Sequence, residues 1–369
     1  LGYNVAVGHE AGAVMTTGIQ NTIIGGLSGD ALTTGNYNIA IGHTALSTED
    51  TGSKNVAIGH QSLLNLNYDG DGHNTAVGHN SGASITTARY NTILGSLAGD
   101  ALTTGAENVA VGYGALGQED GNGKNVAVGM QALTAQNAGS EGYNVAVGWD
   151  CGRSITTGSS NVLIGAAAGD ALTTGLGNVA IGKDALSTED AHSCNVAVGH
   201  NTLQNLNAGE DAYNVAVGYV AGVSMSTGTS NVLVGAQAGD ALTTGSHNVA
   251  IGRGALGGED GDGRNVAVGH EALNVQNVGQ AGYNVSMGYE AGHNVSDGKW
   301  NTIIGGLAGD ALTTGDNNII IGYNAAASAV DVDNEITLGD ANISAFRCAD
   351  QSIAALSDGR DKSEVEESP

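Results

Sequence analysis

The stretch NIAIGHTALSTEDTGSKNVAIG at residues 38–59 contains the pattern that decides the fold. An Asn opens the stretch, three apolar residues and a Gly follow, and the same five-residue pattern returns 17 residues later. Apolar triplets rich in β-branched residues are typical of short strands, and the Gly/Thr/Asp-rich stretch between them is typical of turns. The pattern predicts a strand followed by a return stretch. It does not predict a helix, because no segment keeps a period of 3.6 residues.

This pattern recurs along almost the whole chain of 369 residues. Successive units are spaced by 17, 17, 17 and 19 residues, which makes a cycle of 70 residues, and a degenerate twentieth unit starts at Glu335. Units this short cannot bury a face alone, so we expect them to stack. The sequence predicts an all-β fold: a parallel β-solenoid or β-roll of about twenty 17–19-residue turns in 70-residue cycles. At ~4.8 Å per turn, the rod would be roughly 90 Å long.

The Asn and the Gly of each unit have predicted structural roles. Stacked turns would bring the Asn side chains into a ladder, with amide bonding to amide along the rod. The ladder would begin with Asn4, Asn21, Asn38, Asn55, Asn74 and Asn91. The alternative is that each Asn is a turn residue chosen because it tolerates left-handed backbone. The Gly after each triplet indicates a tight corner that needs positive φ or a close backbone approach.

The triplets are apolar on both sides of the strand, which bears on assembly. In NVAVG at residues 4–8 the middle residue and its two neighbours must face opposite sides. The middle residue is large in the second unit of each cycle, at Ile23, Ile93, Leu163, Leu233 and Ile303. One face can point into the solenoid, and the other would leave an apolar stripe along the rod. We therefore expect a homotrimeric rod packed around a common axis; the alternative is a thick monomeric solenoid that covers both faces.

The heptad GDALTTG occurs five times, at residues 29–35, 99–105, 169–175, 239–245 and 309–315. Its Asp recurs only every fourth turn, so equivalent carboxylates would lie ~19 Å apart along the rod. A calcium site needs carboxylates that share one ion. The heptad is therefore predicted to have a structural role. We assign no metal ligand and no cofactor.

Glu–Asp pairs recur in the third unit of the first four cycles, at residues 49–50, 119–120, 189–190 and 259–260. Glycosidases use two carboxylates in a cleft, whereas these identical pairs are adjacent in sequence. We interpret them as solvated charged corners, partnered by Lys54, Lys124 and Arg264. The sequence has 3 Cys without a CxxC motif, and we interpret Cys151 and Cys194 as neutral replacements.

Aromatic and imidazole rings follow the Gly of many units. In the first unit of each cycle, this position holds His9, His79, Trp149, Tyr219 and Tyr289. Exposed rings on a rigid rod can stack on sugar rings, which makes these residues candidate contacts for a host cell-surface glycan. The alternative is that each ring plugs a corner of the solenoid.

The charge balance excludes several partners. Lys and Arg number 11 and Asp and Glu 37, which gives a net charge of −26. Nucleic acid and anionic membrane surfaces require clustered cations, so neither is an expected partner. No apolar run is long enough to span a bilayer, and membrane insertion is not expected.

The units NVAVGHEAG, NVAIGKDALSTED and NTIIGGLAGDALTTG resemble the repeats of bacteriophage tail fibres. They are also similar to the head repeats of trimeric autotransporter adhesins, a resemblance that implies a left-handed parallel β-roll in a homotrimer. It covers residues 1–343, the predicted β-solenoid shaft, which residues 344–356 would follow as a neck.

The last segment resembles the junction at which a phage fibre meets its C-terminal intramolecular chaperone. By that resemblance, residues 357–369 are the truncated start of the chaperone domain, and Ser357 and Lys362 match the family's self-cleavage pair. A neutral Lys can take the proton of a Ser hydroxyl. Since the chain stops seven residues after Lys362, we expect autoproteolysis beside Ser357 only in a longer chain, and no other enzymatic activity.

These observations predict a structural virion protein, the shaft of a phage tail fibre that projects or forms a host-receptor-binding surface. Its expected partners are two further copies of itself and a host glycan. The alternatives are a bacterial trimeric surface adhesin, located on the cell surface, and a self-assembling extracellular filament whose solenoid ends pair with each other.

Overall fold

A computed structural model describes residues 2–119, 121, 123–259, 261, 263–345 and 347. The chain folds into a β-solenoid with one three-residue strand per turn, and the described residues contain no helix. The all-β, parallel-solenoid prediction is confirmed. The strands are β1 (Val5–Val7), β2 (Thr22–Ile24), β3 (Ile39–Ile41), β4 (Val56–Ile58), β5 (Thr75–Val77), β6 (Thr92–Leu94), β7 (Val109–Val111), β8 (Val126–Val128), β9 (Val145–Val147), β10 (Val162–Ile164), β11 (Val179–Ile181), β12 (Val196–Val198), β13 (Val215–Val217), β14 (Val232–Val234), β15 (Val249–Ile251), β16 (Val266–Val268), β17 (Val285–Met287), β18 (Thr302–Ile304), β19 (Ile319–Ile321) and β20 (Ile336–Leu338).

Each strand pairs in parallel with the next strand of the chain, which forms one ladder along the rod. Val5 lies beside Thr22 in the register of the 17-residue units. Val56 lies beside Thr75, across the 19-residue unit, in the same register. The two extra residues of the longer unit therefore lie in its return stretch and do not disturb the sheet.

The middle residue of each triplet points into the solenoid. Ala40 and Ala57 are fully buried, and so are the larger Ile23 and Leu163 of second units. Leu side chains from the return stretches, such as Leu46, fill the other side of this thin core. Small residues predominate at the middle position because the core between strand and return stretch is narrow.

The Asn ladder joins successive turns, although its main bond differs from the predicted one. The backbone N–H of Asn38 donates to Oδ1 of Asn21 at 2.8 Å, while Nδ2 of Asn21 donates to the Gly35 carbonyl of its own turn at 2.9 Å. Contacts between amides are longer, 3.3 Å between Asn21 Nδ2 and Asn4 Oδ1. The left-handed backbone belongs to the residue before the Asn, as at Tyr37 with φ of 61°. The alternative interpretation of these Asn residues as left-handed turn positions is therefore wrong.

A column of Gly residues follows the strands, and here the sequence prediction of positive φ and close backbone approach is confirmed. Gly25 has a φ of +133°, and a Cβ placed on it would lie 2.5 Å from the carbonyl oxygen of Gly42 in the next turn. Any side chain would collide with that backbone, so the corner requires Gly.

The repeated heptad GDALTTG closes the second turn of each cycle. In its first copy, Gly29 has a φ of +48°, Leu32 is fully buried, and Thr33 Oγ1 donates to the Asp50 carbonyl of the next turn at 2.9 Å. The last residue, Gly35, accepts the bond from the ladder residue Asn21. Each of these residues either holds the backbone of the turn or packs in the core. The heptad is therefore repeated because it has a structural role.

Candidate functional site

We call the outward side of the sheet, formed by the first and third residues of β1–β20, the strand face. Thr occupies residues 22, 75, 92 and 302 of this face, and every other position is Val, Ile, Leu or Met. No position carries a charge, although the chain has 37 acidic residues. The strand face is therefore an apolar stripe on an otherwise acidic protein.

Side chains of the strand face are only partly covered by the chain itself. Ile164 is 39% exposed, and Val217 is 37% exposed in the middle of the rod, far from either end. The adjoining middle residues are fully buried. A single chain therefore covers one side of its sheet and leaves the other open, so the alternative of a thick solenoid that covers both faces is wrong for the isolated chain.

Ring side chains form a first column beside the strand face, which we call the Gly-side column because each residue follows the strand-ending Gly. Its members are His9, His43, His60, His79, Tyr113, Trp149, His200, Tyr219, His270, Tyr289 and Tyr323. Rings on adjacent turns stack, as in His60 and His79 with centroids 5.2 Å apart and His270 and Tyr289 at 5.3 Å. The ladder spacing sets these distances, because equivalent side chains lie one strand step apart.

The five predicted glycan contacts all belong to the Gly-side column, and all are exposed: His9, His79, Trp149, Tyr219 and Tyr289. They do not plug corners. They recur every fourth turn, ~19 Å apart, so the structure aligns them along one edge without bringing them into a single site. The Tyr289 hydroxyl bonds to the Glu290 carboxylate, which raises the pKa of Tyr289.

Sequence reasoning missed a second column of rings on the opposite edge of the strand face. We call it the Asn-side column, because each residue precedes a ladder Asn. It consists of Tyr3, Tyr37, His73, Tyr90, Tyr143, Tyr213, His247, Tyr283 and Trp300. Tyr90 and Trp300 have φ values of 61° and 59°, in the left-handed region that is uncommon for bulky residues. The signal available in the sequence was the recurrence of Tyr, His or Trp directly before the ladder Asn residues.

Cations accompany the Asn-side column. The Arg264 guanidinium lies 5.6 Å from the Tyr283 ring centroid, and Lys124 Nζ lies 5.3 Å from that of Tyr143. Lys124 also pairs with Glu141 at 3.1 Å, and Lys54 pairs with Asp71 at 2.6 Å. Lys54 bonds along the rod to Asp71 of the next turn, so the prediction that it partners the Glu49–Asp50 corner is wrong. For Lys124 and Arg264 the prediction stays a prediction, because Asp120 and Asp260 lie outside the described residues.

The Glu of each Glu–Asp pair lies inside the solenoid, and the prediction of a solvated corner is wrong for it. Glu49, Glu119, Glu189 and Glu259 are fully buried. Glu49 accepts the backbone N–H of Gly52 at 2.6 Å and that of Tyr68 at 3.1 Å. Buried backbone donors need acceptors, and the carboxylate supplies two. Burial raises the pKa of Glu49 despite these bonds. Asp190 is exposed and Asp50 is partly exposed, while Asp120 and Asp260 lie outside the described residues.

The Asp residues of the heptad lie near the surface without forming a shared carboxylate site. Burial raises the pKa of Asp100, Asp170 and Asp240. For Asp170, the carboxylates of Asp184 and Asp150 add to this effect, while Arg153 opposes it.

Two clusters of His and carboxylate side chains have the donor spacing of a metal site among the residues that the structure describes. They are Glu189, Asp190 and His192, and His270, Glu271 and Glu290. In the second cluster, Arg253 Nη1 lies 3.0 Å from His270 Nε2 and 3.1 Å from Glu271 Oε1. A guanidinium therefore already contacts two of the three members of that group.

The predicted self-cleavage pair, Ser357 and Lys362, lies outside the described residues, as does most of the predicted neck at 344–356. Over the described ranges, no helix has the length and apolar character to cross a membrane. No protein-family model matches this chain, and no curated protein shows significant similarity to it.

Proposed function

We propose that this protein is a structural shaft, in which three copies pack their strand faces around a common axis to form a rigid fibre. The observation that carries the proposal is the continuous, uncharged strand face, which runs from β1 to β20 and stays open in the single chain. Exposed apolar surface of this extent marks an association site. The number of three copies rests on the resemblance of the repeats to phage fibres and trimeric adhesins.

The size of the strand face suits this role. Twenty strand steps of ~4.8 Å and a width of about 10 Å give an area on the order of 900 Å². A standard protein interface buries about 800 Å² per partner. Copies of this chain are the occupants that match its length, because only a rod with the same turn spacing can follow the whole stripe.

The fibre is a virion component that projects or forms a host-receptor-binding surface. The two ring columns border the strand face, so they would lie at the rim of the assembly and stay partly accessible. Trp149 and Tyr219 are 52% and 59% exposed. Repetition at fixed intervals suits weak, multivalent contacts with a host glycan, since linked sites bind with high effective concentration.

The first test is the solution mass of the chain, measured by light scattering on a sizing column without denaturant. The proposal expects three times 36.5 kDa. A monomer would overturn it. A broad mass that rises with concentration would instead favour an end-to-end filament, in which β1 of one copy pairs with β20 of the next.

Glycan contact is tested separately on the assembled protein. Binding to host surface polysaccharide on a glycan array is expected to weaken when Trp149 and Tyr219 are both changed to Ala. If the variant keeps the mass of the assembly and binds the glycan as well as the wild type does, the Gly-side column is not the glycan-binding surface. The bacterial-adhesin alternative predicts the same mass, and it is distinguished by the segment that follows the shaft in the full-length protein.

A further inference from the structure

The third Glu–Asp corner differs from its three equivalents in residues that carry chemistry. The four corners read EDTGSK at 49–54, EDGNGK at 119–124, EDAHSC at 189–194 and EDGDGR at 259–264. In the third corner alone, the basic residue is absent, with Cys194 in its place, and His192 stands where the first corner has Gly52. This corner has gained an imidazole and lost a cation.

The structure brings the imidazole onto the buried carboxylate. His192 Nδ1 lies 2.5 Å from Glu189 Oε1, and the His192 backbone N–H donates to the same oxygen at 3.2 Å. Asp190 Oδ1 lies 3.9 Å from His192 Nδ1, on the solvent side. The His192 side chain is 15% exposed, so the imidazole is largely shielded from solvent.

One carboxylate oxygen of this corner has no partner. Glu189 is fully buried, and its Oε2 makes no hydrogen bond. The equivalent oxygen of Glu49 accepts the N–H of Tyr68. An unpaired oxygen of a buried carboxylate is costly, and a bound cation would satisfy it.

We propose that Glu189, Asp190 and His192 form a binding site for a divalent transition-metal ion, with Zn²⁺ as the best match. Imidazole nitrogen and carboxylate oxygen are ligands that Zn²⁺ accepts, whereas Ca²⁺ and Mg²⁺ take oxygen ligands. Three protein donors leave a fourth position for water. The site is independent of the oligomeric state, because all three donors belong to one corner of one chain.

Small side-chain movements suffice to form the site. Tetrahedral Zn²⁺ with bonds of about 2.0–2.2 Å holds its donors roughly 3.3 Å apart. The two separations at His192 Nδ1, 2.5 Å and 3.9 Å, lie on either side of that distance. Zn²⁺ binds a deprotonated imidazole nitrogen, so the ion would replace the hydrogen between His192 Nδ1 and Glu189 Oε1, and that hydrogen would leave to solvent.

The second His and carboxylate cluster is a weaker candidate. Arg253 donates to Glu271 and contacts His270 there, and a divalent cation would have to displace that guanidinium. At the third corner, the chain position that is basic elsewhere is Cys194. The two clusters therefore give a matched comparison within one chain.

The test is calorimetric titration of ZnCl₂ into the full chain and its variants. The matched variant is His192→Gly, which restores the residue of the first corner and so preserves the fold, as far-UV circular dichroism will verify. We expect one equivalent of Zn²⁺ per chain in the wild type and at least tenfold weaker binding in His192→Gly. The second variant, Glu189→Gln, keeps the shape and removes the charge, and it should weaken binding by a similar factor.

The control variants are His270→Ala and Cys194→Ser. Both should still bind one equivalent of Zn²⁺ per chain, as the wild type does. Absence of saturable Zn²⁺ binding in the wild type overturns the proposal. So does unchanged affinity in His192→Gly, or loss of the equivalent in either control, since the ion would then lie at the other cluster or on the thiol.

Discussion

The backbone N–H of Asn178 donates to Oδ1 of Asn161 at 2.9 Å, and Asn161 Nδ2 donates to the Gly175 carbonyl at 2.9 Å. One side chain thus joins its turn to the next turn and also closes its own. Only a side chain with an acceptor and a donor in a short amide can do both. Asp lacks the donor, and an apolar residue lacks both groups, which explains why Asn recurs at this buried position.

Removal of one Asn side chain from the ladder should destabilise the rod locally. Asn161→Ala leaves the Asn178 N–H and the Gly175 carbonyl buried without partners, at about 1–3 kcal/mol for each group. We expect faster amide hydrogen exchange at residues 161–178 and a lower urea midpoint. The control is Asn205→Ala, where the amide donates to the Val223 carbonyl at 2.8 Å but is exposed. Its cost should stay within about 0.5 kcal/mol, and equal effects of the two substitutions would contradict the ladder's role.

The Gly column predicts a large penalty for a single methyl group. Gly165 has a φ of +136°, and a Cβ there would lie 2.5 Å from the Gly182 carbonyl oxygen. Gly165→Ala should cost roughly 2–5 kcal/mol, because it combines overpacking with backbone strain. Gly177 offers the control: it has a φ of +65° with no atom within 4 Å of the added Cβ. Gly177→Ala should cost only about 1 kcal/mol. Thermal unfolding of both variants measures the difference, and similar melting temperatures would refute the steric explanation.

The sequence predicted the features that depend on the repeat period. A strand in every unit, the Gly corner and the Asn stack follow from residue types that recur at fixed spacing. The direction of single side chains in the return stretch did not follow. Glu49 and Asp50 are adjacent and equally charged in the sequence, yet Glu49 is fully buried against backbone N–H groups whereas Asp50 is partly exposed.

The candidate site was predicted in part, for a similar reason. The Gly-side column could be read from the sequence because a conspicuous Gly precedes each ring. The Asn-side column was missed, because a ring in left-handed backbone, as at Tyr37, contradicts ordinary preference. A hydrogen bond from the Tyr37 N–H to the Ile19 carbonyl at 3.1 Å holds this conformation, and only the stacked structure supplies that partner.

The buried Glu residues predict a particular pH dependence. Burial raises the folded-state pKa of Glu49 above its ordinary value of 4.5. The folded chain then binds the proton more tightly than the unfolded chain, so this group's stability contribution is complete below pH 4.5 and is lost as the pH rises through the folded pKa. Glu49→Gln mimics the protonated form.

The measurement for this prediction is the urea midpoint of both proteins at a series of pH values. The stability of the wild type relative to Glu49→Gln should fall as the pH rises above 4.5. Other titrating groups are common to both proteins and cancel in the difference. A constant difference across the series, or one that grows with pH, would contradict a raised pKa.

The two described cysteines should differ strongly in reactivity. Cys194 is exposed, whereas Cys151 is buried, and its burial raises the pKa of the thiol to about 12. Thiolate is the reactive form, so Cys151 should react at least ~10³-fold more slowly than a free thiol with a pKa of about 8.5. Labelling with a maleimide, followed by peptide mass analysis in a Cys348→Ser background, gives both rates. Urea should make the two rates equal, and rapid labelling of Cys151 in the native protein would show that the return stretch after β9 opens to solvent.

The strand face gives the sharpest test of assembly by mutation. Ile164 is the last residue of β10, faces outward on the strand face and is 39% exposed in the single chain. Ile164→Lys would bury a charge in the proposed interface, while in the monomer the Lys would extend into solvent and leave the fold unchanged. We therefore expect the mass by light scattering to fall from three times 36.5 kDa to that of a single chain.

The matched control is Val275→Lys, because Val275 is 44% exposed but lies in a return stretch away from the strand face. That variant should keep the full mass. Dissociation by Val275→Lys together with retention of the trimer by Ile164→Lys would place the interface on the return stretches, and the apolar strand face would then need another occupant.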